Sequence, residues 1–272
     1  MPLVINTYAR FSAAMISNLV LISSQLYLIS TLGLNDILSR YRRSVIGPFW
    51  ITISMGVMIA CIGLVFGGIF NTPMDEFLPF LAAGIILWTF ITGTINEGCT
   101  AFVSAEGIMK QLPIPLLVHV LRVVWRNVLL LAHHIVILPL VFLVMGKSVS
   151  LIALLAIPGF VLVVLCLSWL AFFFAIICTR YRDLPQIVAS VLQVGFYFTP
   201  IIWMPALLPE RLGAAILDWN PFFHVLELLR APMLGSAPGI TSWLVVGAIT
   251  ILGWVLTLLL FARVKHRIAY WL

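Results

Sequence analysis

Six stretches of this sequence, 47–70, 77–96, 127–146, 148–179, 184–209 and 231–262, contain no aspartate, glutamate, lysine or arginine. A helix that crosses a bilayer core needs about 20 consecutive, mostly apolar residues, and each stretch supplies them. The chain is 63% hydrophobic and 9% charged, whereas soluble domains carry about a quarter charged residues. The expected fold is therefore an all-α integral membrane protein with six transmembrane helices in a single domain, 1–272. The spans fall at about 46–70, 77–98, 117–145, 150–178, 186–203 and 240–262. The first ten residues lack the basic start, short apolar run and small-residue cleavage site of a signal peptide, so the N-terminus is expected to stay in place.

Charge placement orients the bundle. With both termini on one side, Arg10, Arg40, Arg42, Arg43, Lys110, Arg122, Arg126, Arg180, Arg182, Arg263, Lys265 and Arg267 share that side, leaving Lys147, Arg211 and Arg230 on the other. The positive-inside rule makes the crowded side, and both termini, cytoplasmic. The net charge of +6 thus reflects topology and gives no reason to invoke nucleic acid. In "RYRRSVIGPFW", 40–50, three arginines abut the first span. One reading is anchoring at an anionic leaflet, where each cation contributes about 1 kcal/mol. Upstream, Ser17, Asn18, Ser24, Gln25 and Thr31 interrupt an apolar stripe that includes Leu21 and Leu28. That pattern predicts an amphipathic interfacial helix over 11–39 in contact with membrane lipid, the alternative being a seventh span. The loop between spans 5 and 6, 204–239, is long and apolar and contains Asn220-Pro221, a helix cap followed by proline at the first helical position. It predicts short re-entrant helices, and backbone at that depth must be covered by protein or water, as in the lining of an exit.

Polar residues inside the spans fall into stripes. Gln186, Ser190, Gln193 and Tyr197 share one face of span 5, with Phe196, Phe198 and Trp203 beside them, and Thr89, Thr92, Asn96 and Thr100 share one face of span 2. Such stripes either join helices or face water. Amides beside aromatic faces also suit a hydroxylated substrate. Glu97 is an acid near the membrane interior and a functional candidate on that ground. His133 and His134 have no acid in their span and read as packed neutral rings. "GLVFG", 63–67, permits close helix packing, within the chain or in a dimer. Cys61, Cys99, Cys166 and Cys178 lack metal or redox spacing and read as small buried side chains. "MGKS", 145–148, lacks the first glycine of a P-loop, which would fall at Val141. No catalytic or metal motif stands out; if the chain moves something against resistance, the energy must come from a partner or an ion gradient.

Four stretches, in order, resemble the membrane subunit of an ABC-2 type exporter, in the polysaccharide-export group that serves O-antigen, teichoic acid and capsule. They are "LNDILSRYRRSVIGPFW" at 34–50, "AEGIMKQLPIP" at 105–115, "RYRDLPQIV" at 180–188, and "FYFTPIIWMPALLPE" through "LDWNPFFHVLELLRAPML" at 196–234. The similarity covers nearly everything from residue 30 onward. It departs in the 105–115 loop, which carries one lysine where two basic residues are usual, with Leu116 in place of a basic residue.

The resemblance implies a homodimer in the bacterial inner membrane that works with two separate cytoplasmic ABC ATPase subunits. Those subunits bind ATP and Mg, so no cofactor is expected in this chain. The implied cargo is polysaccharide on undecaprenyl pyrophosphate, O-antigen in preference to capsule or teichoic acid. A drug or small-lipid exporter of the same fold and an ion-coupled secondary carrier are the alternatives. On this reading Glu106, Lys110, Arg180, Arg182 and Asp183, with the N-terminal interfacial helix, meet the ATPases. Arg40, Arg42 and Arg43, whose planar forks suit phosphate oxygens, meet the pyrophosphate. Asn96, Gln193, Phe196, Tyr197 and Trp203 line the glycan path.

Overall fold

The computed structural model describes residues 25–39, 49–112, 114–207, 209 and 216–272. Arg10, Arg40, Arg42, Arg43 and Arg211, and the part of the interfacial helix expected over 11–24, lie outside them. Among the described residues the regular structure is helical. A helix over 25–39, α1, is followed by α2 Phe49–Phe70, α3 Met74–Cys99, α4 Ala101–Ser104, α5 Glu106–Gln111, α6 Leu116–His134 and α7 Ile137–Met145. After a 3-10 turn at Leu151–Leu155 come α8 Ala156–Arg180, α9 Leu184–Phe198, α10 Pro221–Met233 and α11 Ile240–Trp271.

Among the described residues five helical segments are long and apolar enough to cross a membrane: Phe49–Phe70, Met74–Cys99, Leu116–Met145, Leu151–Arg180 and Ile240–Ile268. The sixth apolar helix, α9, has 15 residues, about 22 Å against a core of about 30 Å. It is shorter than the span expected over 186–203, for a local reason. Proline disfavours helical backbone in the residue before it, and Thr199, before Pro200, is extended at φ −91°, ψ 135°. The third span is likewise broken between α6 and α7. Pro139 has no N–H to offer the Ile135 carbonyl, which instead accepts from the Leu138 N–H at 3.1 Å in a tightened turn.

α3 forms the centre, buried on nearly every face from Phe77 to Cys99 and packed against α2, α6, α7, α8, α9 and α10. Its crossing with α8 brings backbones together: a Cβ on Gly98 would lie 2.7 Å from Ala171 Cα. Gly63 and Gly67 are used inside the chain, where added Cβ atoms would meet Leu78 at 2.5 Å and Met74 at 2.7 Å on α3. The small-residue pattern thus serves α2–α3 packing within the chain. The "MGKS" stretch is a helix end. Gly146 takes a left-handed conformation, φ 66°, and the Lys147 N–H closes back on the Phe142 carbonyl at 2.9 Å. Lys147 Nζ lies 2.8 Å from Asp75, a hydrogen bond that holds its ammonium above the ordinary lysine pKa. Cys99, Cys166 and Cys178 are buried, Cys61 is exposed, and all four are free thiols.

Candidate functional site: a groove between α2, α3 and α9

The two polar stripes meet. A groove of about 440 Å³ runs between α2, α3 and α9, and its polar lining is Thr89, Thr92 and Asn96 from one stripe and Gln193 and Tyr197 from the other. Chemistry varies along it. Toward the end of the bundle that carries α4, α5 and the C-terminus, here the basic end, Thr92, Asn96 and Gln193 present polar groups. Toward the far end Trp88, Phe196 and Tyr197 form an aromatic wall. The Trp88 and Phe196 rings are 6.0 Å apart and those of Phe196 and Tyr197 5.5 Å. Phe222 of α10 meets Trp88 edge-on at 5.4 Å, a preferred geometry for aromatic pairs. Apolar Met58 and Ile62 of α2 complete one side.

The hydrogen-bonding capacity left in this groove is narrow. Thr89 and Thr92 donate to the Ile85 and Trp88 carbonyls one turn back, at 2.8 and 2.9 Å, which satisfies the hydroxyls inside their own helix. Asn96 and Gln193 are exposed and their carboxamides have no protein partner among the described residues. Among the described residues no charged side chain lines the groove. Two uncommitted amides beside aromatic faces offer hydrogen bonds and stacking surfaces suited to neutral, hydroxylated groups. The remaining stripe members lie elsewhere. Thr100 follows the end of α3 and its hydroxyl meets the Glu97 carbonyl at 3.2 Å. Gln186 and Ser190 line a shallower depression on another face of α9. Trp203 is not part of the groove lining; its indole N–H donates to the Tyr197 carbonyl at 3.1 Å.

At the far end, polar groups pin the backbone. Asn220 Oδ1 caps α10 through the Phe222 and Phe223 N–H groups, at 2.9 and 3.3 Å, as the Asn-Pro pair predicts. Its amide N–H₂ reaches Thr199 Oγ1 at 3.0 Å. Arg230, 2% exposed, donates to the Pro200 carbonyl at 2.5 Å and to Glu227 at 2.9 Å, and its guanidinium carbon lies 4.2 Å from the Phe80 ring centroid. His224 sits between Ser242 Oγ and the Asp218 carbonyl, each at 3.0 Å. Sequence reasoning treated Arg230 as a topological charge. The missed signal was Glu227 three residues earlier, one turn away in a run of leucines.

At the basic end the two loops expected to couple to a motor come together. On α5, Lys110 Nζ meets Glu106 at 2.5 Å. That hydrogen bond, with Arg182 contributing from the other loop, holds the Glu106 carboxyl below the ordinary glutamate pKa. Arg180 stacks over Tyr181 and over Trp271 of α11, at 5.1 and 5.4 Å. Asp183 precedes α9, makes no capping bond and is exposed. Glu97 turns inward: it accepts from Arg126 at 2.7 Å and from the Asn127 amide at 2.6 Å. The His133 ring contacts the Leu129 carbonyl of its own helix at 2.7 Å, a packed histidine. Among the described residues no three metal-ligating side chains gather.

Fold and groove define a helical membrane protein with a polar and aromatic groove between three of its helices. The ABC-2 type transporter family model matches residues 27–234, and the chain belongs to that family of transporter membrane subunits. It is 24% identical over 242 residues to the O-antigen export system permease protein RfbA of Klebsiella pneumoniae, covering 86% of this chain and 90% of the relative. It is 23% identical over 209 residues to the RfbA protein of Myxococcus xanthus, covering 75% and 79%. It is 20% identical over 218 residues to the polysialic acid transport protein KpsM of Escherichia coli, covering 79% and 83%.

Proposed function

We propose that the chain is the membrane subunit of an ATP-driven exporter that moves undecaprenyl-pyrophosphate-linked polysaccharide from cytoplasm to periplasm, with lipopolysaccharide O-antigen as cargo. The observation that carries this reading is the uncharged groove, where Asn96 and Gln193 lie beside Trp88, Phe196 and Tyr197. Aromatic faces let successive sugars slide, and two free amides grip each ring too weakly to stall a polymer. Relatives bearing the O-antigen export name along most of the chain point to the same cargo.

The groove is open on one side, and the helices at its edges expose apolar residues such as Val57 on α2 and Val191 and Val194 on α9. A second copy facing this one closes the path, with membrane lipid covering the rest. The basic end faces the cytoplasm of a bacterium, in the inner membrane, with both termini inside. There two ATPase subunits, holding ATP and Mg, rest on Glu106, Lys110, Arg182 and Asp183, with Arg180 braced behind them. Arg40, Arg42 and Arg43 receive the pyrophosphate headgroup at the inner leaflet.

The decisive experiment replaces Asn96 and Gln193 with leucine in a strain that depends on this chain for surface glycan. Normal protein levels with lipid-linked glycan retained on the cytoplasmic face support the reading; full export by the double variant refutes it. The identity of the retained glycan also tests the second reading, a capsule exporter, which the similarity to a polysialic acid transport protein favours. Single Arg→Gln changes at 40, 42 and 43 separate headgroup capture from anchoring. Lost export with normal insertion supports capture, and misinserted protein supports anchoring.

A further inference from the structure

Helix α11 is longer than a membrane core is thick. Its 32 residues rise about 48 Å against a hydrocarbon core of about 30 Å, and charge first appears in it at Arg263. The turns from that point on are held in place. Val264, Ile268 and Trp271, with Phe261 just before them, pack onto the core shared by α4, α6 and α8, where Ile268 is fully buried. The Phe261 and Phe172 rings are 5.0 Å apart, and Arg180 covers the Trp271 ring. Nearer the middle of the helix, the Trp254 indole N–H donates to the Leu165 carbonyl of α8 at 3.1 Å. The opposite side of α11 is open. Leu252, Leu256, Leu259, Arg263, Arg267 and Tyr270 are all exposed and succeed one another at three or four residues, a single stripe along the helix.

The stripe changes character once, from leucine to arginine, as a bilayer changes from acyl chain to phosphate. Arg263 and Arg267 stand one turn apart, about 6 Å between Cβ atoms, and each guanidinium offers a planar fork to phosphate oxygens. Tyr270 follows, a ring type enriched at membrane–water interfaces. Neither arginine is engaged elsewhere. No aspartate or glutamate occurs in 228–272, and among the described residues neither makes an ion pair or hydrogen bond. Cations on any side of the helix would satisfy the positive-inside rule. Two of them in line with lipid-facing leucines match one phospholipid from tail to headgroup. We propose that this stripe of α11 is a binding site for an anionic phospholipid, with an acyl chain along Leu252, Leu256 and Leu259 and the phosphate between Arg263 and Arg267. The lipid also relieves the repulsion of two like charges one turn apart. The site depends on α11 crossing a membrane and not on what the chain exports.

The test titrates the purified full-length chain with phosphatidylglycerol, and separately with phosphatidylcholine, and counts bound lipids by native mass spectrometry. Wild type should bind phosphatidylglycerol in preference. Arg263→Gln should weaken one binding step about fivefold, the equivalent of about 1 kcal/mol for a cation at an anionic surface. With Arg267→Gln added, the same step should weaken about twenty-five-fold, leaving one phosphatidylglycerol fewer per chain. Lys265→Gln removes the same charge from a position about 200° around the helix and should leave every step within about twofold. Equal losses from Lys265→Gln and Arg263→Gln would reveal a diffuse charge effect, and an unaltered count in the double variant would put the lipid elsewhere; either ends the proposal. A guard against misfolding is the unfolding midpoint without added lipid, which should match wild type in the double variant. Arg263→Lys with Arg267→Lys, which keeps the charge, should recover most of the binding. A fallen midpoint that the lysine pair does not restore would make the arginines structural and overturn the assignment. So would a double variant that keeps its lipid count but holds the ATPase subunit more weakly, since the stripe would then be a protein-docking face.

Discussion

The two ends of the groove use polar groups in opposite ways. At the far end three polar side chains are committed: Asn220 holds Thr199 and the start of α10, His224 holds Ser242, and Arg230 holds the Pro200 carbonyl, Glu227 and the Phe80 face. Toward the basic end Asn96 and Gln193 are exposed and uncommitted. Satisfied buried polar groups fix a backbone, because leaving one unpaired costs the full desolvation penalty. Unsatisfied exposed ones cost the fold almost nothing and remain free for a ligand. The far end is therefore a brace, and on the proposed export reading the groove is a working surface, so substitutions should separate cleanly, stability at one end and transport at the other.

The sharpest break in that contrast would come from Arg230→Met. Methionine keeps much of the volume but strands Glu227 and the Pro200 carbonyl, and removing one partner of a buried pair costs about 3–5 kcal/mol. The unfolding midpoint in detergent should drop accordingly, with poor yield. An unchanged midpoint would mean that Arg230 is spare and the far end no brace. Asn220→Ala is the milder version. It removes the cap of α10, worth about 1 kcal/mol, together with the tie to Thr199, and the same midpoint should register a smaller loss. Restoring the cap alone with Asn220→Ser should recover part of it, because serine caps but is too short to keep the amide's reach to Thr199.

How much of this was legible beforehand follows from which interactions are local. The apolar helical segments, the Asn220 cap and the polar stripes are written in runs and periods of a single helix, and these were visible. Placing Asn96 beside Gln193 required knowing that α3 and α9 are neighbours, and the stripes alone left glue and water-facing readings open. The hydroxyls of Thr89 and Thr92 turned back to their own helix, while the helix-joining contact came from Asn127 to Glu97, residues with no periodic partner in their own spans. Arg122 and Arg126 looked like topology signals because their acid partners, Asp36 and Glu97, are far away in sequence. The short α9 was foreshadowed by Pro200, whose effect on the preceding residue outweighed the apolar run that continued past it.

Gln193→Leu probes the working surface. An exposed, unbonded amide on α9 can be replaced with a stability change within about 0.5 kcal/mol, so the unfolding midpoint should hold while export of glycan falls. Asn96→Leu should behave alike and the double variant should lose more. A drop in midpoint comparable to that of Asn220→Ala would show that these amides support the fold after all, and the contrast between the ends would fail.

The smallest effect belongs to Glu106, outside the groove, where an exposed pair with Lys110 stands at the proposed contact with the motor. Because the lysine holds the Glu106 carboxyl below its ordinary value, whatever the pair adds to the folded state is present above the ordinary glutamate pKa. It disappears as pH falls through the depressed folded value. Exposed pairs add little, since solvent and salt screen them. Glu106→Gln should therefore leave the unfolding midpoint at neutral pH indistinguishable from wild type, and any residual difference should close as pH is lowered and shrink in salt. Coupling is the sensitive readout: ATP hydrolysis by the assembled complex should lose its link to export. If the variant were instead markedly less stable at neutral pH, the pair would be part of the architecture. The basic end would then resemble the braced far end more than a surface made for docking.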